Sequence, residues 1–94
     1  MSLTILHEQP DHKGSFYIEQ DGKRVAEMTY VMAGEKNLII DHTEVSDALR
    51  GQKAGAQILA ELVAYARKEG IKVRPLCPFA KSVFDKTPEY ADVL

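Results

Sequence analysis

The sequence has few of the residues that mark disulfide-rich, membrane or secreted proteins. Its 94 positions hold one cysteine, four scattered prolines, no tryptophan and 7% aromatic residues. Because one cysteine cannot form an internal disulfide, the chain must fold by packing alone, and we expect a reducing, cytoplasmic setting. No apolar run approaches the roughly 18 residues that span a bilayer. The start of the chain lacks the basic and apolar regions of a signal peptide.

The sequence also contains no internal repeat, low-complexity tract or linker. A chain of this length buries only about 60–65% of the surface that its unfolded form exposes, so we expect one modest hydrophobic core. The composition, 45% hydrophobic and 28% charged residues, is typical of a globular protein. We therefore predict a single domain over residues 1–94.

Charge is unevenly distributed along the chain. Residues 1–49 carry four basic and nine acidic side chains, whereas residues 50–86 carry eight basic and three acidic ones. Either the basic half binds an anionic ligand and the acidic half a cationic one, or the charges are simply solvated without a functional role. The pI of about 5.9 and the lack of a basic run interleaved with aromatic residues argue against nucleic-acid binding. No membrane partner is indicated.

Alternating apolar and polar residues predict strands in the first half of the chain. They cover Ser15–Gln20, Lys23–Met32 and Leu38–Val45, and Leu3–His7 is expected to add a short edge strand. Asp21-Gly22, between the first two, is typical of a two-residue hairpin turn in which both residues need positive φ. These strands are predicted to form an antiparallel meander.

The periodicity then changes to that of a helix. It predicts an amphipathic helix over Lys53–Glu69, a strand over Ile71–Leu76, and short helices over Pro78–Lys86 and Pro88–Val93. The order is β-β-β-β-α-β-α, and the helix between the last two strands makes those strands parallel. The predicted fold class is thus α+β (mixed α/β), with a mostly antiparallel sheet, one long crossover helix and short C-terminal helices.

The segment Arg50-Gly51-Gln52-Lys53-Ala54-Gly55-Ala56 leads from the meander into the long helix. Small residues allow the backbone to approach a ligand, and the first N–H groups of a helix are unpaired donors at the positive end of its dipole. The segment is therefore a candidate phosphate site, to which Arg50 and Lys53 add positive charge. The alternative is an ordinary tight turn, and the Gly-Lys-Ser/Thr ending of a Walker loop is absent.

The single cysteine, Cys77, stands between a predicted strand and a short predicted helix. Unpaired N–H groups at the start of that helix lower the pKa of a nearby thiol, and Lys81 follows one turn later. Cys77 is therefore a candidate nucleophile or thioester-forming residue. The alternative interpretation is a small buried hydrophobic residue, which free cysteine often is.

His42 and Glu44 lie two positions apart on one predicted strand, so their side chains share a face. Either could act as a general base toward a protonated amine. The alternative is a hydrogen-bonded histidine beside a surface glutamate. His7 and His12 are expected to be solvent-exposed, and no metal site is expected because one cysteine and three scattered histidines lack ligand spacing.

Three segments, in this order and at these separations, carry a resemblance to a known family: Asp41-His42-Thr43-Glu44-Val45, Leu49-Arg50-Gly51-Gln52-Lys53-Ala54-Gly55 and Pro75-Leu76-Cys77-Pro78-Phe79. With the Asp21-Gly22 hairpin and the ending Pro88-Glu89-Tyr90, the chain resembles, over about residues 14–92, the short YjdJ-like branch of the GNAT N-acetyltransferases. The family implies a mixed sheet that splays between its fourth and fifth strands, with coenzyme A in the wedge.

The resemblance implies an enzyme that moves an acetyl group from acetyl coenzyme A to a primary amine, on a protein lysine or a small molecule. The implied catalytic residues are Cys77, His42 and Glu44, with Cys77 across the splay from His42. The acetyl group either passes through a Cys77 thioester or moves directly while His42 or Glu44 takes a proton. Coenzyme A is expected to contact Val45, Arg50, Gly51, Gln52, Lys53, Ala54, Gly55, Ala56 and Phe79.

The family's phosphate loop has the pattern Arg/Gln-x-x-Gly-x-Gly/Ala. Started at Arg50, the pattern is met by Gly55 but not by Lys53, which stands where the family has glycine. The Lys53 side chain either obstructs the backbone cradle or replaces lost contacts with its charge. The alternative function is a non-catalytic module that binds coenzyme A or acyl coenzyme A as a sensor or partner-docking domain.

Overall fold

A computed structural model describes residues 4–49 and 51–94. Five strands form one sheet in the order β1-β2-β3-β4-β5, with bounds Leu6–Glu8, Lys13–Gln20, Lys23–Met32, Asn37–Val45 and Lys72–Pro75. Two α-helices, α1 (Ala54–Glu69) and α2 (Pro78–Lys86), and two 3₁₀ helices, Asp47–Leu49 and Pro88–Val93, complete the described chain. No described helix is long and apolar enough to cross a membrane.

The predicted mixed α+β fold is confirmed. Strands β1 to β4 pair antiparallel in sequence order, and β5 pairs parallel with β4 after the α1 crossover. Asp21 and Gly22 have φ values of 52° and 79°, as the predicted hairpin requires. The first part of the predicted edge strand, at Leu3, lies outside the described residues, and β1 begins at Leu6.

One face of the sheet carries the core. Inward residues of the strands, among them Met28, Tyr30, Leu38 and Ile40, form one buried cluster with the apolar residues of α1 and α2. We call this side the helix face. The opposite side, which presents Tyr17, Glu27, Thr29, Val31 and Ile39, is not covered by any element of the described chain, and we call it the open face.

A β-bulge changes the direction of the side chains halfway along β4. Tyr30 pairs with Ile40 but Thr29 pairs with His42, so Asp41 is one extra residue in β4. The Thr29 hydroxyl donates a hydrogen bond of 2.5 Å to Asp41 Oδ1. Without a bulge, simple alternation from Ile40 would put residues 42 and 44 on the helix face and residue 43 on the open face. The bulge reverses this order.

The pairing of β4 with β5 ends just before the bulge. The parallel register runs from Asn37↔Lys72 to Ile40↔Pro75. The Ile40 carbonyl then accepts hydrogen bonds from both Leu76 N and Cys77 N, at 3.0 and 3.2 Å. Past this point the chain turns into α2, while β4 continues to Val45 without β5 beside it. The two strands therefore part at the position where the family implies a splay.

His7 is exposed, as expected, but one side of its ring also contacts the core. His7 pairs with Phe16 across β1 and β2, which directs its ring to the helix face. The two rings stack at 4.0 Å, Tyr65 approaches His7 edge-on at 4.7 Å, and His7 Nε2 hydrogen-bonds the Tyr30 hydroxyl at 2.5 Å. Burial lowers the pKa of His7 below its usual 6.5, because an apolar setting disfavours the imidazolium form.

We predict that His7 makes the protein less stable as the pH falls. Below about pH 6.5 the unfolded chain binds a proton at His7, whereas the folded chain binds it only at lower pH. The free energy of unfolding therefore decreases as the pH falls from about 6.5 through the folded pKa of His7. Urea unfolding at several pH values would show this loss. In His7→Phe, which keeps the stacked ring, we expect a flatter profile over the same window. An equal loss in both proteins would contradict the assignment.

Candidate active site

The start of α1 has the features of an anion site. Lys53 is the N-cap residue, no side chain caps the helix, and the first turn contains no acidic residue. No side chain of the described residues therefore caps the N–H groups of the first turn, which lie at the positive end of the helix dipole and can donate to a ligand. Gly51 has φ of 84° and is exposed, with Gln52 and Lys53. Arg50, which was also predicted to bind the cofactor, lies outside the described residues.

The backbone of Lys53 explains why the family has glycine there. Lys53 adopts φ 55° and ψ 39°, in the left-handed region, which costs a residue with a Cβ roughly 1–2 kcal/mol and costs glycine almost nothing. The lysine therefore keeps the loop conformation that glycine would give. Its ammonium group adds positive charge to the beginning of α1.

Gly55 lies at a close contact between the two helices. A Cβ at Gly55 would lie 2.6 Å from Cζ of Phe79, in the first turn of α2. The two first turns thus pack directly, which links the candidate phosphate loop to the segment that contains Cys77. Of the other predicted cofactor residues, Ala54 is buried and Ala56 half-buried, whereas Val45 and Phe79 are each 39% exposed.

Cys77 precedes α2 as its N-cap residue and is only 6% exposed. Burial raises the pKa of the thiol, but hydrogen bonds from the Thr43 hydroxyl and from backbone N–H groups of Ala80 and Phe79 outweigh it, so the pKa is lowered. Cys77 is therefore a core residue whose hydrogen bonds favour the thiolate form. The Lys81 ammonium, expected to assist it, lies 3.4 Å from Asp85 instead.

His42 and Glu44 share the open face, as their spacing predicted, with His42 Nε2 3.5 Å from Glu44 Oε2. Glu44 lies opposite Glu27, whose carboxylate is 3.5 Å from Arg24. Cys77 meets Thr43 on the helix face, so the β4 backbone lies between the thiol and His42. The structure thus brings His42 and Glu44 together, and it separates both from Cys77 by the thickness of one strand.

Comparison with known proteins identifies the family. A family model for the GCN5-related N-acetyltransferases matches residues 15–93, which is most of the chain. The chain belongs to the GCN5-related N-acetyltransferase family. Members of this family use acetyl coenzyme A. The narrower YjdJ-like branch stays a prediction.

Solved structures agree with this family. A GCN5-like protein from Staphylococcus aureus, assigned to the N-acetyltransferases, is 38% identical with a TM-score of 0.74, over 97% of this chain and 86% of that one. The fold is shared with a ribosomal-protein-alanine N-acetyltransferase from Brucella melitensis biovar Abortus 2308, at 15% identity and TM-score 0.65, over 80% of this chain and 60% of that one.

The same fold occurs in the aminoglycoside N-acetyltransferase AAC(6')-Iy in complex with coenzyme A, at 14% identity and TM-score 0.57. That match covers 81% of this chain and 66% of the aminoglycoside enzyme. Among curated protein sequences, none matches the chain significantly.

Sequence reasoning on this GCN5-related chain missed Thr43. Its hydroxyl is the side-chain partner of the Cys77 sulfur, at 3.2 Å. Alternation along β4 would have placed Thr43 on the open face, and the bulge at Asp41 that reverses this has no mark in the composition of the strand. A threonine in a strand is ordinary, so no sequence signal distinguishes this one.

We predict that Lys53→Gly stabilises the fold by about 1 kcal/mol, because glycine adopts the left-handed conformation without strain. Lys53→Ala is the matched control, since it removes the same charge but keeps a Cβ. Chemical denaturation of the three proteins measures the difference. Equal stability of the glycine and alanine variants would show that the conformation at Lys53 costs nothing.

We predict that Gly55→Ala destabilises the protein by about 1–3 kcal/mol through overpacking against Phe79. In a Phe79→Ala background the same change is expected to cost little, because the ring that the new methyl group would meet is gone. A double-mutant cycle measured by urea unfolding gives the coupling between the two positions. A coupling near zero would mean that the helices do not meet at Gly55.

Proposed function

We propose that the protein transfers an acetyl group from acetyl coenzyme A to a primary amine and that Cys77 carries the group between them as a thioester. The observation that carries this proposal is the position of the Cys77 thiol, which is hydrogen-bonded to Thr43 at the point where β4 and β5 part. An activated thiol in that position is the arrangement that nucleophilic catalysis requires. The family membership supplies the donor.

The described residues fit the donor at two places. The uncapped first turn of α1, with Gly51 and Lys53 before it, suits the pyrophosphate. The edge of β4 over residues 41–45 has no strand paired beyond it in the described chain. The backbone groups along this edge suit the amides of an extended arm. Acetyl coenzyme A would supply an acetyl group already activated as a thioester.

The chemistry assigned to Cys77 is a two-step transfer. The Cys77 thiolate attacks the acetyl carbonyl carbon, a bond forms to Sγ, and the bond to the donor sulfur breaks as that sulfur leaves with the electron pair. The leaving thiolate takes up the proton that Cys77 released. In the second step the amine nitrogen attacks the same carbon, the bond to Sγ breaks, and the Cys77 sulfur leaves with the electron pair and takes up the proton that the nitrogen loses.

In direct transfer, the alternative route that leaves Cys77 unmodified, His42 and Glu44 are proposed to remove the proton from the attacking amine. They lie on the open face beside the unpaired part of β4, 60% and 72% exposed, where an acceptor has access. Carboxylates of Glu44 and Glu27 face the same region and favour a positively charged amine.

The second candidate is a module that binds coenzyme A without turnover. It is favoured by the lysine at position 53, where the loop conformation suits glycine, and by the open face, which no described element covers. The two functions differ in what happens to the bound acetyl group. Both require binding of coenzyme A, so failure to bind it in calorimetry would overturn both.

We predict that intact-protein mass spectrometry after incubation with acetyl coenzyme A shows a species heavier by one acetyl group. Addition of a primary amine should remove the adduct and yield the acetylated amine. Cys77→Ala is expected to bind coenzyme A but to form no adduct. His42→Ala is expected to form the adduct and pass it on at the full rate, because His42 lies on the other face of β4 from the thiol.

Each alternative gives a different result. Acetylated amine formed equally well by Cys77→Ala would mean direct transfer. Saturable binding with neither adduct nor acetylated amine would mean a binding module. An adduct that persists in Cys77→Ala would arise from nonspecific lysine acetylation and would contradict the thioester.

A further inference from the structure

The surroundings of Cys77 limit which groups can assist the thiol. Its sulfur lies 3.2 Å from Thr43 Oγ1, and the remaining groups that stabilise the thiolate are the backbone N–H groups of Thr43 itself and of Phe79 and Ala80 at the start of α2. Lys81 pairs with Asp85, and His42 is on the other face of β4. Thr43 is the only side chain among the described residues that hydrogen-bonds the sulfur.

The bulge in β4 determines that a threonine, and not a histidine, occupies this position. Thr43 lies directly opposite Met28, which is fully buried, so its side chain points to the helix face. As a β-branched residue in a strand, Thr43 has few rotamers. Its half-buried hydroxyl is therefore held in place beside the sulfur.

We propose that Thr43 is the positioning residue of this site: its hydroxyl holds the Cys77 sulfur where β4 and β5 part and donates a hydrogen bond to the thiolate. In the neutral form the thiol donates to Oγ1, and after the proton leaves, the hydroxyl turns to donate to the sulfur. The inference rests on the proposed function, because it gives Thr43 a task only toward a nucleophilic Cys77.

The test is the pH dependence of Cys77 alkylation by iodoacetamide in the full chain, which contains no other cysteine. The pH range brackets the ordinary thiol pKa of about 8.5. Thr43→Val keeps the shape and removes the hydroxyl, so we expect the midpoint to rise and the rate near neutral pH to fall roughly tenfold. Thr43→Ser keeps the hydroxyl and should restore both.

Thr87→Val, at the far end of α2, is the matched control and should behave as the unmodified protein does. A change of rate at every pH with an unmoved midpoint would show that Thr43 only packs against the cysteine, and it would overturn the proposal. A shift that Thr43→Ser does not reverse would overturn it as well. Should Thr43→Val fail to fold, Thr43→Ala makes the same comparison with Thr43→Ser.

The alkylation experiment needs no coenzyme A, so it decides the role of Thr43 independently of acetyl transfer. If Thr43→Val shifts the alkylation midpoint as expected but the unmodified protein forms no acetyl adduct, the proposed function is overturned and the role of Thr43 is not. If the adduct forms, Thr43→Val should slow its formation by about the same factor as it slows alkylation. Adduct formation at the full rate in Thr43→Val would contradict the positioning role.

Discussion

The structure depends on one carbonyl group. Ile40 O accepts the N–H groups of Leu76 and Cys77, and the pairing of β4 with β5 ends there. This junction turns the chain into α2 and leaves the last part of β4 with an unpaired edge. The β-bulge at Asp41 follows directly after Ile40. It turns the Thr43 side chain toward the thiol and the His42 side chain toward solvent on the opposite face of β4.

The helices meet at the same junction. α1 begins after the 3₁₀ helix that follows β4, and its first turn packs through Gly55 against Phe79. The proposed phosphate site at the start of α1 and the thiol at the end of β5 are thus linked through this close contact. The uneven charge of the sequence fits this arrangement, since Lys53 stands at the helix start and Glu27 and Glu44 lie on the open face.

The order of elements could be predicted from the sequence because periodicity and turn residues are local. The hairpin at Asp21-Gly22 and the α1 and α2 segments were predicted closely. The bulge could not be predicted, because one added residue in a strand changes no composition, so Cys77 was expected opposite His42 and was found beside Thr43. The ring contacts of His7 could not be predicted for a similar reason, since they arise from pairing with Phe16, which is distant in sequence.

The most direct test of the account is the titration of ¹⁵N-labelled protein with coenzyme A, followed by the backbone amide signals. If the cofactor lies between the parted strands, the largest shift changes will cluster in residues 51–56 at the start of α1 and in residues 41–45 at the end of β4. They should remain in Cys77→Ala, because binding does not need the thiol. Shift changes confined to other parts of the chain, or none at saturating coenzyme A, would contradict the account.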